Sequence, residues 1–314
     1  MEGRSDELDV QPEVRVIVWS LPRTISTVLT KCVSFVDGIN VHLEPYGYAH
    51  ASWLGLQGFS HQELPVTYEG NEALFEQAAQ IMGEFTKSKV DPKRLPFTTV
   101  QSELETATGK YVFVKDQSHA MIPQFRQFLP KGFRHVFLIR EPSAIFSSYR
   151  KAMYKQVTGL KMLEKSEEEY DIVEDDVVGM QPLNLYKNHH DLWKYVQENF
   201  DPNPLVIDAT DILSNPSDHI KWLLQAIGLP YSDSLLQWPS SVEALKSWKT
   251  PGEGILESHI HFYGTAMQST CFMPPHPVPS REQLTSDVIR CADAATPYYQ
   301  EMYKARLTND NNNI

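Results

Sequence analysis

The chain contains 314 residues, of which 41% are hydrophobic and 22% are charged, and its formal net charge is −12. This composition is sufficient for a sizeable core and excludes a disordered chain, and the acidic balance argues against a general nucleic-acid-binding protein. Three scattered cysteines are too few for a disulfide framework or a thiolate zinc site. No apolar run reaches the roughly 18 residues that cross a bilayer, and the N-terminus has no targeting pattern. We therefore expect a cytoplasmic protein without a membrane partner.

Five short, almost continuously apolar runs predict strands that are buried on both faces of a parallel sheet. Helical signals lie between them, over residues 24–35 directly after the first run and over residues 71–86, 142–157 and 215–227. Strands that alternate with helices predict a three-layer α/β fold, in which helices flank a five-stranded parallel sheet. We expect one domain over residues 1–314, with flexible tails at 1–13 and 308–314. The five runs are 14–19, 39–43, 111–114, 135–139 and 204–207.

Basic residues concentrate in one segment of this acidic protein. Residues 126–161 contain eight lysines and arginines and a single acid, whereas residues 163–176 contain eight acids and one lysine. An anionic protein with one basic segment is suited to bind a small anion locally. The alternative is that the basic residues lie on the surface and that the acidic stretch is a solvated loop or a lid.

The first strand leads through a short loop into a helix that begins near Thr24, in the sequence WSLPRTISTVL at 19–29. Backbone N–H groups at the start of a helix form an anion site together with the helix dipole. Ser26 and Thr27 add hydroxyl donors, and Arg23 adds a permanent cation. The loop is not a Walker A motif, because the two glycines and the lysine of that motif are absent. The alternative is an ordinary strand-to-helix turn capped by hydroxyl side chains.

A second strand end carries Arg140, in the sequence HVFLIREPSAIFSSYRK at 135–151, and Ser148 follows two helical turns later. An arginine at the carboxyl end of a parallel strand faces the crevice in which open sheets bind ligands. Taken together, the two segments resemble the signatures of the sulfotransferase superfamily. These are a strand followed by P-[KR]-[ST]-G-[ST]-[ST], and a strand followed by R-x-P with a serine eight residues after the arginine. The matching residues are Pro22, Arg23, Thr24, Ser26 and Thr27 in the first and Arg140, Pro142 and Ser148 in the second.

The resemblance implies a P-loop NTPase-like fold and an enzyme that moves a sulfuryl group to a hydroxyl of a small-molecule acceptor. The implied donor is 3′-phosphoadenosine 5′-phosphosulfate, and no metal is needed. Arg23 and the backbone of residues 24–27 would hold the 5′-phosphate, while Arg140 and Ser148 would hold the 3′-phosphate. Lys249 is a further candidate for nucleotide binding. Ile25 stands where the family has a glycine, which narrows the backbone approach to the phosphate or marks a modified site.

Three residues compete as the general base that the acceptor hydroxyl needs, and Glu44 ranks first and His119 second. The third, His42, faces opposite to Leu43 and could simply lie within the sheet. Glu44 follows the second strand, where many carbohydrate-type sulfotransferases place a catalytic glutamate. His119 follows the third strand, close to where phenol and steroid sulfotransferases place a histidine. Glu44 could instead cap a helix, and His119 could be a structural histidine. We expect Lys115 to support the transferring sulfuryl group or to pair with Glu44.

Two other functions remain open from the sequence, a nucleotide or small-molecule kinase of the same fold and a non-catalytic nucleotide-binding protein. The kinase would need a metal-binding carboxylate and a glycine-rich loop. The pairs His189–His190 and His259-x-His261 have no third ligand at the spacing of a metal motif. The identity of the acceptor and the oligomeric state also remain open, with a homodimer as one option.

Overall fold

Five of the strands in the described part of the chain form one parallel sheet. The computed structural model describes residues 14–240, 243–255 and 260–308. The strands lie in the order β2-β4-β1-β5-β6, so that β1 is central, and a separate pair is formed by β3 and β7. The predicted fold class is confirmed. The strands are β1 Val14–Ser20, β2 Ile39–Leu43, β3 Lys89–Val90, β4 Tyr111–Gln117, β5 Arg134–Ile139, β6 Leu205–Asp208 and β7 Gly252–Glu253.

Helices connect the strands of the sheet and cover both of its faces. The helices predicted at 71–86, 142–157 and 215–227 are present with ends that shift by at most two residues, and the helix after β1 is shorter than predicted. The helices are α1 Ser26–Val33, α2 Pro45–Ser60, α3 Glu72–Thr86, α4 Phe97–Glu105, α5 Pro142–Gly159, α6 Leu185–Asn199, α7 Ala209–Ser214, α8 Pro216–Ile227, α9 Glu243–Lys246, α10 Ile260–Gln268 and α11 Ser286–Lys304.

The central strand β1 shows why the strand sequences are continuously apolar. Val16 and Val18 face one core cluster, to which α1 and α8 contribute, and both are buried. Ile17 and Trp19 face the opposite cluster, to which α4 and α6 contribute, and both are fully buried. Because both faces of the strand are covered, the residues that point to either side are apolar. The alternation of apolar and polar residues that is typical of a half-exposed strand is therefore absent.

The carboxyl ends of the parallel strands lie at one edge of the sheet and bring distant parts of the sequence together. In the sheet β1 pairs with both β4 and β5, and β2 pairs with β4. The chain leaves β1, β2, β4 and β5 at this edge and continues into the segments that carry Arg23, Glu44, His119 and Arg140. The fold therefore places the sequence candidates in neighbouring segments.

The predicted flexible tails lie outside the described residues, apart from Thr308. None of the helices in the described ranges combines the length and the apolar character that crossing a bilayer requires.

Candidate active site

The loop between β1 and α1 is held in a strained conformation. Arg23 has a φ of 68° and Ile25 a φ of 60°, and Ile25 is the residue that precedes the first turn of α1. Left-handed backbone is costly for a β-branched residue, so the surrounding structure must hold it in place. The side chain of Ile25 packs against the core, and the Thr24 hydroxyl donates to the Leu21 carbonyl oxygen at 2.7 Å. Ile25 thus adopts the backbone conformation for which a glycine is best suited.

The predicted donors of this loop divide into two groups. Ser26 and Thr27, in the first turn of α1, line a cavity beside the loop. The N–H groups of this turn have no acceptor within the helix and carry the positive end of its dipole. Thr24 is fully buried and its hydroxyl is engaged by Leu21, so the backbone N–H is the group that it can offer to an anion.

Arg140 and Arg23 meet between the neighbouring strands β5 and β1. Nη1 of Arg140 donates to the backbone carbonyl oxygen of Arg23 at 2.8 Å, and Nε of Arg23 donates to Oγ of Ser148 at 2.9 Å. Burial, and then the positive charge of Arg140, lower the pKa of Arg23. Burial likewise lowers the pKa of Arg140. Two partly buried cations that repel each other form an environment in which a bound anion is stabilised.

Glu44 and Lys115 form a buried ion pair at the ends of β2 and β4. The register of these strands places Leu43 opposite Lys115, and the N–H of Glu44 donates to the Lys115 carbonyl oxygen at 2.7 Å. The Lys115 ammonium donates to Oε1 of Glu44. Glu44 has a φ of 52° and precedes α2, but its side chain does not cap that helix. Of the two placements predicted for Lys115, the structure shows the pairing with Glu44.

Two further donors complete the contacts of the Glu44 carboxylate. Nε2 of Gln117 donates to Oε1 at 2.8 Å, and the Tyr263 hydroxyl donates to Oε2 at 2.9 Å. Burial raises the pKa of Glu44, but the charge of Lys115 and the three hydrogen bonds outweigh it and hold the pKa below its ordinary value. Glu44 is therefore ionised near neutral pH, and its oxygens are occupied by protein donors.

His119 lies beside this pair at the wall of the cavity. Burial lowers the pKa of His119 to about 4, the charge of Glu44 opposes this shift, and that of Lys115 adds to it. Within the described residues, its buried Nδ1 has no hydrogen-bond partner. The imidazole is consequently neutral at physiological pH and able to accept a proton.

Asp116 fixes the start of α2, and with it the position of Glu44. Its carboxylate accepts hydrogen bonds from the N–H groups of Tyr46 at 2.8 Å, Gly47 at 2.9 Å and Gln117 at 2.7 Å. Burial raises the pKa of Asp116 to about 7, although the three N–H groups act in the opposite direction. The sequence reasoning noted Asp116 and Gln117 only as a departure from a family pattern, and it missed Tyr263.

A cavity of about 440 Å³ connects these groups. Its charged side chains are Arg23, Glu44 and Lys115, with His119 beside them, while α2, α3, α5 and the segment between α5 and α6 supply a mainly apolar wall. Arg140 and Ser148 do not line this cavity but adjoin it through their bonds to Arg23. The structure thus brings together Arg23, Ser26, Thr27, Glu44, Lys115, His119, Arg140 and Ser148.

Lys249 lies apart from this group. Its backbone pairs with β2, through a bond of 2.8 Å from its N–H to the Val41 carbonyl oxygen, and a bond of 2.9 Å from the Leu43 N–H to its own carbonyl. It lines a second cavity of about 720 Å³ beside β3 and β7. The geometry therefore gives no support to a contact between Lys249 and the arginine anchors.

The pair His189–His190, which was set aside in the sequence, is engaged in other contacts. Nδ1 of His189 lies 2.7 Å from Oγ of Ser118, and Nε2 of His190 lies 2.9 Å from a Glu301 oxygen. His259 lies outside the described residues. Within the described ranges, no group of three or more His, Cys, Asp and Glu residues is arranged to hold a metal ion.

Comparison with known proteins adds one family match. Residues 200–307 match the family model described as "Sulfotransferase domain". No curated protein sequence matches the chain significantly.

Similar backbones occur among solved structures. One is a sulfotransferase domain from the curacin biosynthetic pathway, with a TM-score of 0.43 and 14% identity over 91% of this chain and 99% of that chain. Another is a sulfotransferase domain from the Synechococcus PCC 7002 olefin synthase, with a TM-score of 0.47 and 15% identity over 91% and 95%. A third is mouse sulfotransferase SULT7A1 complexed with PAP, with a TM-score of 0.41 and 12% identity over 95% and 86%. At these sequence identities and TM-scores, the similarity is limited to the general path of the backbone.

Proposed function

We propose that this chain, which belongs to the sulfotransferase superfamily, moves a sulfuryl group from 3′-phosphoadenosine 5′-phosphosulfate to a hydroxyl of a small-molecule acceptor. The choice of donor rests on one observation: Arg23 and Arg140 follow the ends of neighbouring strands and are in contact with each other. A nucleotide with phosphate groups at both its 5′ and 3′ positions matches two adjacent cationic anchors. A nucleotide phosphorylated at one position would leave one anchor without an anion.

Each anchor has residues suited to one phosphate group. Arg23, the first N–H groups of α1, and the hydroxyls of Ser26 and Thr27 would bind the 5′ end of the donor. Arg140 and Ser148 would bind the 3′-phosphate, for which Ser148 would exchange or share its bond with Arg23. The donor, when bound, supplies the sulfuryl group.

Sulfuryl transfer then depends mainly on position and on charge stabilisation. A bond forms between the acceptor oxygen and sulfur as the bond from sulfur to the bridging oxygen breaks. The acceptor proton passes to the base, and adenosine 3′,5′-bisphosphate leaves. Arg23 and Lys115 would stabilise the negative charge on the departing phosphate and on the transferring oxygens.

His119 is the stronger candidate for the base. It lines the cavity, it is neutral near pH 7, and Nδ1 has no hydrogen-bond partner within the described residues. Glu44, in contrast, accepts hydrogen bonds from Lys115, Gln117 and Tyr263, so both of its carboxylate oxygens are occupied by protein donors. The proposed role of Glu44 is to hold the Lys115 ammonium in position beside the reacting group.

Calorimetric titration of adenosine 3′,5′-bisphosphate and of ATP, each with Mg²⁺ and with EDTA, tests the choice of nucleotide. We expect adenosine 3′,5′-bisphosphate to bind equally well in EDTA and more tightly than ATP. Tighter binding of ATP that depends on Mg²⁺ would favour the kinase. Nucleotide binding without sulfuryl transfer to any of a broad set of alcohols would favour the non-catalytic protein.

A further inference from the structure

The cavity has a charged end and an apolar arm. The charged side chains and His119 come from the segments that follow β1, β2 and β4, at the sheet edge. The arm runs along α2 away from Glu44, and Leu54 lies on the order of 15 Å along that helix from its start. The side chains that form the arm include Leu54, Ile81, Phe85, Met153, Val178 and Met180.

An acceptor that fills the arm must therefore have an uncharged, largely apolar body. A carboxylate, an ammonium group or a sugar ring would lose its hydration in the arm without gaining charged or multiple polar partners. Two of the polar side chains along the arm are already engaged. Oγ of Ser52 donates to the Tyr48 carbonyl oxygen at 2.8 Å, and Oγ1 of Thr86 donates to the Met82 carbonyl oxygen at 2.8 Å.

Gln156 is the exception in this wall. It is 8% exposed and lines the cavity, yet no described residue forms a hydrogen bond with its side-chain amide. The amide is open to the cavity, and a ligand that displaces water from it must supply a hydrogen bond in its place. The amide can donate and accept, so it is suited to a hydroxyl or a carbonyl group.

The position of Gln156 sets the distance between the two ends of the acceptor. Tyr149, Met153 and Gln156 lie on one face of α5 and line the cavity. Next to Tyr149, Ser148 is bonded to Arg23, so this part of α5 lies at the charged end. Gln156 is two turns further along the helix, which corresponds to about 10 Å.

We propose that the acceptor is a neutral, elongated alcohol that carries a second hydrogen-bonding group about 10 Å from the reacting hydroxyl, and that Gln156 binds this second group. This inference rests on the proposed sulfotransferase function, of which it specifies the substrate class. Gln156 is then a specificity-determining residue, while the apolar arm excludes charged and sugar-like alcohols.

A series of matched alcohols tests the proposal. The probes are octan-1-ol, octane-1,8-diol, 8-hydroxyoctanoate and methyl glucoside. The binding of each to the protein saturated with adenosine 3′,5′-bisphosphate is measured by calorimetry, and the transfer of radiolabelled sulfate is measured as kcat/KM. The proteins are the wild type, Gln156→Met and, as a control, Gln225→Met, which makes the same change at an exposed site on α8.

We expect the wild type to bind and sulfate both neutral eight-carbon alcohols and to reject the carboxylate and the glucoside. In Gln156→Met the preference for the diol over octan-1-ol should fall about fivefold in Kd and in kcat/KM, the effect of one lost hydrogen bond. Gln225→Met should retain the wild-type ratio. Because the same ratio of two ligands is compared between the variant and the wild type, the difference in hydration between the alcohols cancels.

Three results would overturn the proposal. One is an unchanged ratio in a Gln156→Met protein that binds the nucleotide normally, another is a preference for the glucoside, and the third is a preference for the carboxylate. If Gln156→Met does not fold, Val178→Asp replaces it, and this variant should lose both neutral alcohols while it retains the nucleotide. A wild-type protein that binds the alcohols but not adenosine 3′,5′-bisphosphate would contradict the proposed function and leave the assignment of the arm supported.

Discussion

The guanidinium of Arg140 donates to the backbone carbonyl oxygen of Arg23 at 2.8 Å, although 117 positions separate the two residues in the sequence. This bond joins the end of β5 to the loop that follows β1, a loop in which Arg23 and Ile25 both have positive φ. Arg140 thus helps to hold the strained loop and places a second cation next to the first. The bond explains why two sequence segments that each predict an anion site belong to one site.

The charge of Arg140 should determine how tightly the 3′-phosphate is bound. We expect Arg140→Met to weaken the binding of adenosine 3′,5′-bisphosphate at least tenfold, because a charge-assisted hydrogen bond contributes about 1.5–3 kcal/mol. Calorimetry gives the Kd directly. Lys155→Met, on the exposed side of α5, removes one positive charge from the same segment and is the control. Equal losses in the two variants would show that net charge, rather than the Arg140 anchor, controls binding.

Substitution of the two candidate bases should separate their roles. We expect His119→Ala to lower kcat by 10²–10⁴-fold, the usual contribution of a general base, with the Kd of the nucleotide unchanged. Glu44→Gln should lower kcat less but should destabilise the fold, because it leaves the buried Lys115 ammonium without its carboxylate at a cost of about 3–5 kcal/mol. Single-turnover transfer assays and chemical denaturation measure the two effects. A larger loss of kcat in Glu44→Gln than in His119→Ala would assign the base to Glu44.

The pH dependence of the reaction follows from the lowered pKa of His119, which is about 4 because burial disfavours the imidazolium. In the proposed mechanism the neutral form is the active one, so protonation of His119 should leave kcat/KM constant as pH falls through the range near 6.5 and should lower it only towards pH 4. An ordinary histidine would lose activity around its usual pKa of about 6.5. The pH profile of kcat/KM between 4 and 8 is the measurement. Asp116, whose pKa is about 7, titrates in the same range, so an acid limb centred near 6.5 that persists in Asp116→Asn would contradict the burial of the base.

The positive φ of Ile25 predicts an unusual order of stability among its variants. Replacement by alanine removes core packing and retains the unfavourable backbone, whereas glycine removes the same packing but relieves the backbone. We therefore expect Ile25→Gly to have a free energy of unfolding about 1 kcal/mol greater than that of Ile25→Ala. Denaturant titration of both variants provides the comparison. The ordinary order, with alanine more stable than glycine, would show that the loop is not left-handed at this position.

The sequence allowed the sheet to be predicted because its strands are buried on both faces, so that each appears as a short apolar run. The helices were harder to predict from the sequence. In α2, buried Tyr46 and exposed Phe59 are both aromatic, so residue type does not separate the buried face from the exposed one. The last helix, α11, contains Pro297, which predicts a helix end rather than an interior.

The site residues that directly follow a strand could be predicted from the sequence. Those contributed by a helix far away in the sequence could not. Arg23, Glu44 and Arg140 each follow a strand end, whereas Tyr263 reaches Glu44 from a helix 219 positions later and has no local pattern. The number of basic residues in the segment 126–161 was also an ambiguous indicator of an anion site. Within the basic segment, Arg150 is buried against Asp287 and donates to the Glu167 carbonyl oxygen, so it anchors the acidic stretch instead of binding an external anion.

The most direct measurement is the transfer of radiolabelled sulfate from 3′-phosphoadenosine 5′-phosphosulfate to octane-1,8-diol in EDTA, by the wild type and by Arg23→Met. The two-anchor account predicts a labelled organic sulfate from the wild type and a loss of at least tenfold in kcat/KM for Arg23→Met. Wild-type transfer that persists undiminished in Arg23→Met would contradict it.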